Sequence, residues 1–152
     1  MTPVRLFVSC LVVLSLGWAS ALESAPAVAH ARQSSRALAS GSQSQITTAR
    51  ERLVTSQAEW TALWAEHAPG QPAPAVDFAR SSVVALFLGT RPTAGYGIRL
   101  REARVDGDTL MVRYEEQTPG PDTMAAELLT SPFLIVALPR HSGPVRFDKR
   151  GR

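Results

Sequence analysis

Two short stretches constrain the fold of this chain more than anything else in it. Val83 to Leu88 and Phe133 to Leu138 are apolar at every position, with no polar residue recurring at each second place. A strand with one wet face has to alternate, so strands written this way are central and covered on both faces. Pro139 stops the second of them. Whatever else the chain does, it has to supply a cover for each side of the sheet they form.

The helix that can supply one cover is readable. Ser56, Gln57, Ala58 and Glu59 have the S-x-x-E form of a capping box, and Trp60, Leu63, Trp64 and His67 then follow at i, i+3, i+4 and i+7. Both indoles fall on one face, where core packing outweighs a ligand-stacking platform. His67 reads as a capping or boundary residue near the helix C-terminus rather than a base. Pro69, Gly70, Pro72 and Pro74 end the helix, and Arg50 to Thr55 before it reads as a first strand.

Between the two apolar runs lies a hairpin. Tyr96, Ile98 and Leu100 alternate with Arg99 and Arg101, then the phase changes so that Ala103 and Val105 become the apolar set, which predicts a bulge near Arg101 and Glu102. Asp106-Gly107 is a type I′ turn signal leading into Thr109 to Gln117. A two-residue turn there sets Ala103 opposite Leu110 and brings Arg99 opposite Arg113, a like-charge pair that Glu115 relieves diagonally. These arginines read as a solvated sheet face, with an acidic partner surface as the alternative. Ala125 to Thr130 is expected to be an irregular or strand-like piece. The fold class is α+β: a mostly antiparallel sheet with one amphipathic helix packed on one face.

The chain has 152 residues, 45% of them hydrophobic and 19% charged, which suits one globular domain. Its 16 Lys+Arg and 13 Asp+Glu are interspersed, and the formal charge of +3 does not point to a nucleic-acid partner. Arg5, an apolar stretch from Leu6 to Trp18, and small residues at Ala19 and Ala21 form a Sec-type signal peptide over residues 1–21. The stretch is shorter than the ~20 residues needed to cross a bilayer, so cleavage after Ala21 is expected, with no stable membrane insertion afterwards. Cys10, the single cysteine, leaves with it. Export, to the periplasm or the medium, suits a cysteine-free mature chain. Residues 22–45, rich in Ala, Ser and Gln, read as a disordered linker, residues 46–147 as the folded domain and 148–152 as a frayed basic tail.

No chemistry is written in recognisable spacing. The three histidines, one of them His30 in the linker, and the single cysteine give no metal pattern. Neither His67 nor His141 sits in a motif that fixes a nucleophile beside it. No catalytic residue, cofactor or metal is assigned, and an enzyme is the least favoured class. The unusual segment is the loop from Gly89 to Gly97. It lacks phosphate-loop spacing, but Gly89 and Gly95 permit positive φ and Pro92 stiffens the middle. A rigid exposed loop loses little entropy on binding, so Thr90, Arg91, Pro92, Thr93 and Tyr96 are the candidate partner-binding residues.

An ordered set of residues adds a resemblance. Glu59-Trp60-x-x-Leu63-Trp64-x-x-His67, Val76-Asp77-Phe78, Val83-Val84-Ala85-x-Phe87-Leu88-Gly89, Pro92-Thr93-x-Gly95-Tyr96-x-Ile98 and Thr130-x-Pro132 together resemble the PrcB C-terminal domain family over about Gln45 to Phe147. Ala94 stands where many members have glycine. The family is named for a subunit of a bacterial surface protease complex. The resemblance therefore implies an exported, non-catalytic accessory or interaction module with a protein partner, a protease among the expected ones. The segment from Arg91 to Tyr96 is also similar to the Asn-Pro-Thr-Thr-Gly-Tyr loop of chagasin-like cysteine-protease inhibitors, with Arg91 for the Asn and Ala94 for the second Thr. The other two inhibitory loops of that family have no match here.

Overall fold

The computed structural model describes residues 33–151. The expected signal peptide, its cleavage site, Cys10 and the first part of the linker lie outside the described residues. Seven strands and one helix follow in the order β1 (Arg36–Gly41), β2 (Arg50–Val54), α1 (Gln57–His67), β3 (Ser81–Phe87), β4 (Gly97–Asp106), β5 (Thr109–Gln117), β6 (Phe133–Pro139) and β7 (Val145–Arg150). The strands form two sheets rather than the single one expected: β1-β6-β3-β2, all antiparallel, and β4-β5-β7, in which β7 runs parallel to β5.

The two apolar runs are the middle strands of the first sheet, paired from Ser81↔Pro139 to Phe87↔Phe133. Their alternate side chains enter two different cores. Val84, Leu86, Leu88, Leu134, Val136 and Leu138 meet Ala103, Leu110, Val112 and Tyr114 of the second sheet. Val83, Ala85, Phe87 and Ile135 share a cluster with Trp60, Leu63, Trp64, Val54 and Ile46. Double cover therefore comes from a sheet on one side and from a single short helix with its flanking segments on the other. Ser82 sits fully buried at the start of β3, where its hydroxyl exchanges two hydrogen bonds of 3.0 Å with the backbone of His141.

The helix begins as its capping box requires. Ser56 Oγ accepts from Glu59 N–H at 3.3 Å, and the Glu59 carboxylate accepts from Thr55 N–H at 3.0 Å. The indole N–H groups of Trp60 and Trp64 donate to the carbonyls of Pro74 and Gln71, both at 3.0 Å, which fastens the proline-rich connection to the helix. His67 is a core residue rather than a boundary one. It lies among Trp64, Phe87 and Phe133, and its Nδ1 is 2.8 Å from Ser44 Oγ. Burial pulls its pKa down, because desolvation disfavours the charged imidazolium.

The bulge is where the phase change places it, between Leu100 and Glu102, but the hairpin register is two residues away from the expected one. The loop residues are Gly107 and Asp108, with Asp106 opposite Thr109, Val105 opposite Leu110 and Ala103 opposite Val112. Gly107 has φ of 63° and Asp108 does not have positive φ, an arrangement of the type II′ kind rather than I′. The shift removes the like-charge pair: Arg99 lies opposite Glu115, and Arg113 opposite Glu102. The arginine face is thus neutralised within itself. Arg113 bridges Glu102 at 3.2 Å and Asp148 at 2.9 Å, and Arg101 pairs with Glu115.

Two boundaries also move. Residues 36–41, inside the expected linker, form β1 and pair with β6, and Ser44 and Ile46 are buried. Residues 145–150, partly in the expected frayed tail, form β7. Both are edge strands, covered on fewer sides than a central strand, so they tolerate the polar and charged composition that made them look unstructured. Ala125 to Thr130 forms no strand; Thr130 alone makes an isolated bridge with Arg91.

Candidate functional site

The loop after β3 begins at Gly89, buried and with φ of 76°. A Cβ there would meet Ala49 N at 2.8 Å and Thr47 O at 2.9 Å, so glycine is required both by conformation and by the close approach of the 47–49 backbone. Thr90 N–H then donates to Thr47 O at 2.9 Å. From Arg91 onward the loop is clasped to a second connection, residues 118–132, that leads from β5 to β6. Arg91 and Thr130 exchange backbone hydrogen bonds of 2.7 and 2.9 Å, Ala94 N–H donates to Ala126 O at 3.0 Å, and Thr130 Oγ1 donates to Thr93 O at 3.1 Å. The two loops therefore form one surface.

The candidate residues divide on this surface. Thr90 and Pro92 are exposed, Thr93 and Tyr96 partly buried. Arg91 does not project toward solvent as expected. Its guanidinium forms a bidentate pair with Glu116 at 2.6 and 3.0 Å, donates to Leu88 O at 2.9 Å, and stands 5.9 Å over the Tyr96 ring. Glu116 also takes Lys149 Nζ at 2.7 Å. The Arg91 hydrogen bonds, with Lys149 adding to them, pull the Glu116 carboxyl down to about 2. Arg91 turns inward because Glu116, at the mouth of the inter-sheet core, is largely buried and needs a cation. Nearby, Tyr114 Oη donates to Glu51 at 2.5 Å across the two sheets, and burial raises the phenol pKa.

Among the side chains the loops present outward are three large apolar ones. Met124 is fully exposed, Leu129 is 68% exposed and Leu128 54%, all on the connection clasped to the Thr90–Gly97 loop. Among the described residues these are the large hydrophobic side chains left in solvent, and they stand together within one segment. Sequence reading passed over them because the segment between Pro121 and Pro132 is too short to establish a period. The available signal was a Met-Ala-Ala-Glu-Leu-Leu run whose helical spacing lasts only about one turn, too short for an element that would bury it.

Among the described residues no cluster of His, Cys, Asp or Glu is placed to hold a metal, and no helix is long and apolar enough to cross a membrane. His141, the second histidine considered as a base, is held by the carbonyl of Pro144 at 3.0 Å.

The family model described as PrcB C-terminal matches residues 82–139. That span runs from β3 to β6 and holds both clasped loops; α1 and strands β1, β2 and β7 lie outside it. No curated protein and no solved structure matches the chain.

Proposed function

We propose that this chain, whose residues 82–139 match the PrcB C-terminal family model, is an exported, non-catalytic protein-interaction module serving a protease complex. The observation that carries the reading is the paired-loop surface: Pro92 and Thr90 from one loop, with Met124, Leu128 and Leu129 held beside them by backbone hydrogen bonds. A small protein keeps such side chains in water at a cost in solubility, and a partner that covers them gives a reason for their presence. The polar cluster of Arg91, Glu116 and Lys149 acts as the rigid base of the loop rather than as a contact. Export rests on the signal-like residues 1–21, and intact-mass measurement of the exported protein should give Leu22 as its first residue.

The test is capture. The mature protein, immobilised, is exposed to solubilised envelope and to culture medium of the producing cell, and bound proteins are identified. A protease should be retained, and Met124→Ser with Leu129→Ser should weaken its binding by about 1–3 kcal/mol without lowering the melting temperature. Undiminished capture by the double variant removes the loops as the contact, and a captured set without a protease removes the complex. Block of a papain-like enzyme by the purified domain would instead support the inhibitor resemblance of the 91–96 loop.

A further inference from the structure

One side of the sandwich is left open along an entire strand. β2 ends the first sheet with no strand beyond it among the described residues, so alternate backbone N–H and C=O groups of Arg50–Val54 point outward unpaired. A cavity flanks this edge on each face. On the helix side, a half-open space of about 250 Å³ is bordered by Arg52, Val54, Ala62 and Leu63 with the Arg50–Glu66 pair beside it. On the side facing the second sheet, about 270 Å³ lies between Ala49, Leu88, Tyr114 and Lys149. A strand laid along β2 would send its side chains alternately into these two spaces.

The two cavities ask for different side chains. In the inter-sheet one every charged group already has a partner: Glu51 accepts from Tyr114 and Lys149 pairs with Glu116. An apolar side chain can enter there without leaving a charge unpaired. On the helix side Glu66 is taken by Arg50 and Glu59 by the helix cap, whereas the Arg52 guanidinium has no hydrogen bond and no ion pair among the described residues, although its charge reaches Glu66. We propose that β2 is a docking edge for an extended segment of another protein in which acidic residues, facing Arg52, alternate with apolar residues that fill the space beside Tyr114 and Leu88. A second copy of this chain fits poorly, because antiparallel pairing of Arg-Glu-Arg-Leu-Val with itself about its centre sets Arg52 against its own mate.

The probe is a capped heptapeptide of alternating valine and glutamate, compared with an isomer of the same composition in blocked order. NMR titration of the mature protein should show saturable shifts confined to Ala49–Val54 and slower amide exchange at the outward N–H groups of β2. The blocked isomer should bind far more weakly. Arg52→Glu, at an exposed position, should reduce affinity for the alternating peptide about tenfold, a loss that shrinks at high salt. Equal binding of the two isomers, shifts centred on residues 90–97 and 124–129, unchanged affinity in the Arg52 variant, or a dimer in light scattering that perturbs β2 would each overturn the proposal. Because the loop surface is tested by different substitutions, failure here leaves the paired-loop reading standing.

Discussion

At the scale of single residues, two side chains that share a loop or helix with exposed neighbours turn out to be structural. Arg91 illustrates how little a type and a loop position reveal: nothing local announces that Glu116, 25 residues later, will lie beneath it. Removing it leaves a largely buried carboxylate with Lys149 alone, so Arg91→Ala should lower stability by about 1–3 kcal/mol in denaturant titration. The pH dependence follows from the direction of the shift. Glu116 has a folded pKa of about 2 against an ordinary 4.5, so its stabilising contribution is complete above 4.5 and disappears as the pH falls to about 2. Acid titration of the folded protein should show this loss, and the Arg91 variant a flatter curve. Trp60 is the other case. It is fully buried against β3 and β6, and Trp60→Ala should cost about 3–5 kcal/mol; a wild-type denaturation midpoint would contradict the packing described.

At the scale of elements, legibility tracks how completely an element is covered. β3 and β6 announce themselves because burial on both faces removes every polar residue, and α1 because a cap and a one-sided stripe coincide. β1 and β7 do not, since Arg-Ala-Leu-Ala-Ser-Gly and Val-Arg-Phe-Asp-Lys-Arg lack the unbroken apolar runs of β3 and β6. The same reason hides the hairpin register: Val105 and Ala103 satisfy the inner face against either Leu110 or Val112, and only the choice of Gly107 as the first turn residue decides between them. The site was half legible. Pro92 and the glycines mark a rigid loop, whereas its clasp with residues 126–130 depends on hydrogen bonds between segments more than thirty positions apart. If β1 is integral, a chain beginning at Gln43 should melt below one beginning at Gln33 and tend to associate through the exposed β6 edge. Equal melting temperatures would return residues 36–41 to the status of a linker.

At the scale of the whole molecule, β3 and β6 belong to two cores at once, so neither core can be lost while the other keeps its wall. Tryptophan fluorescence, which reports the helix side through Trp60 and Trp64, and methyl NMR signals of Leu110 and Val112, which report the inter-sheet side, should therefore lose their native values at the same denaturant concentration. An earlier fluorescence change would mean that the helix detaches as a separate unit. The placement of the outermost strands has a temporal side as well. Arg36 finds its partner at Ala137, and Leu110 is joined by Val145 only after β6 has been made in the other sheet. On a ribosome the early strands wait for the late ones: the first sheet cannot close until β6 has been made, nor the second until β7 has.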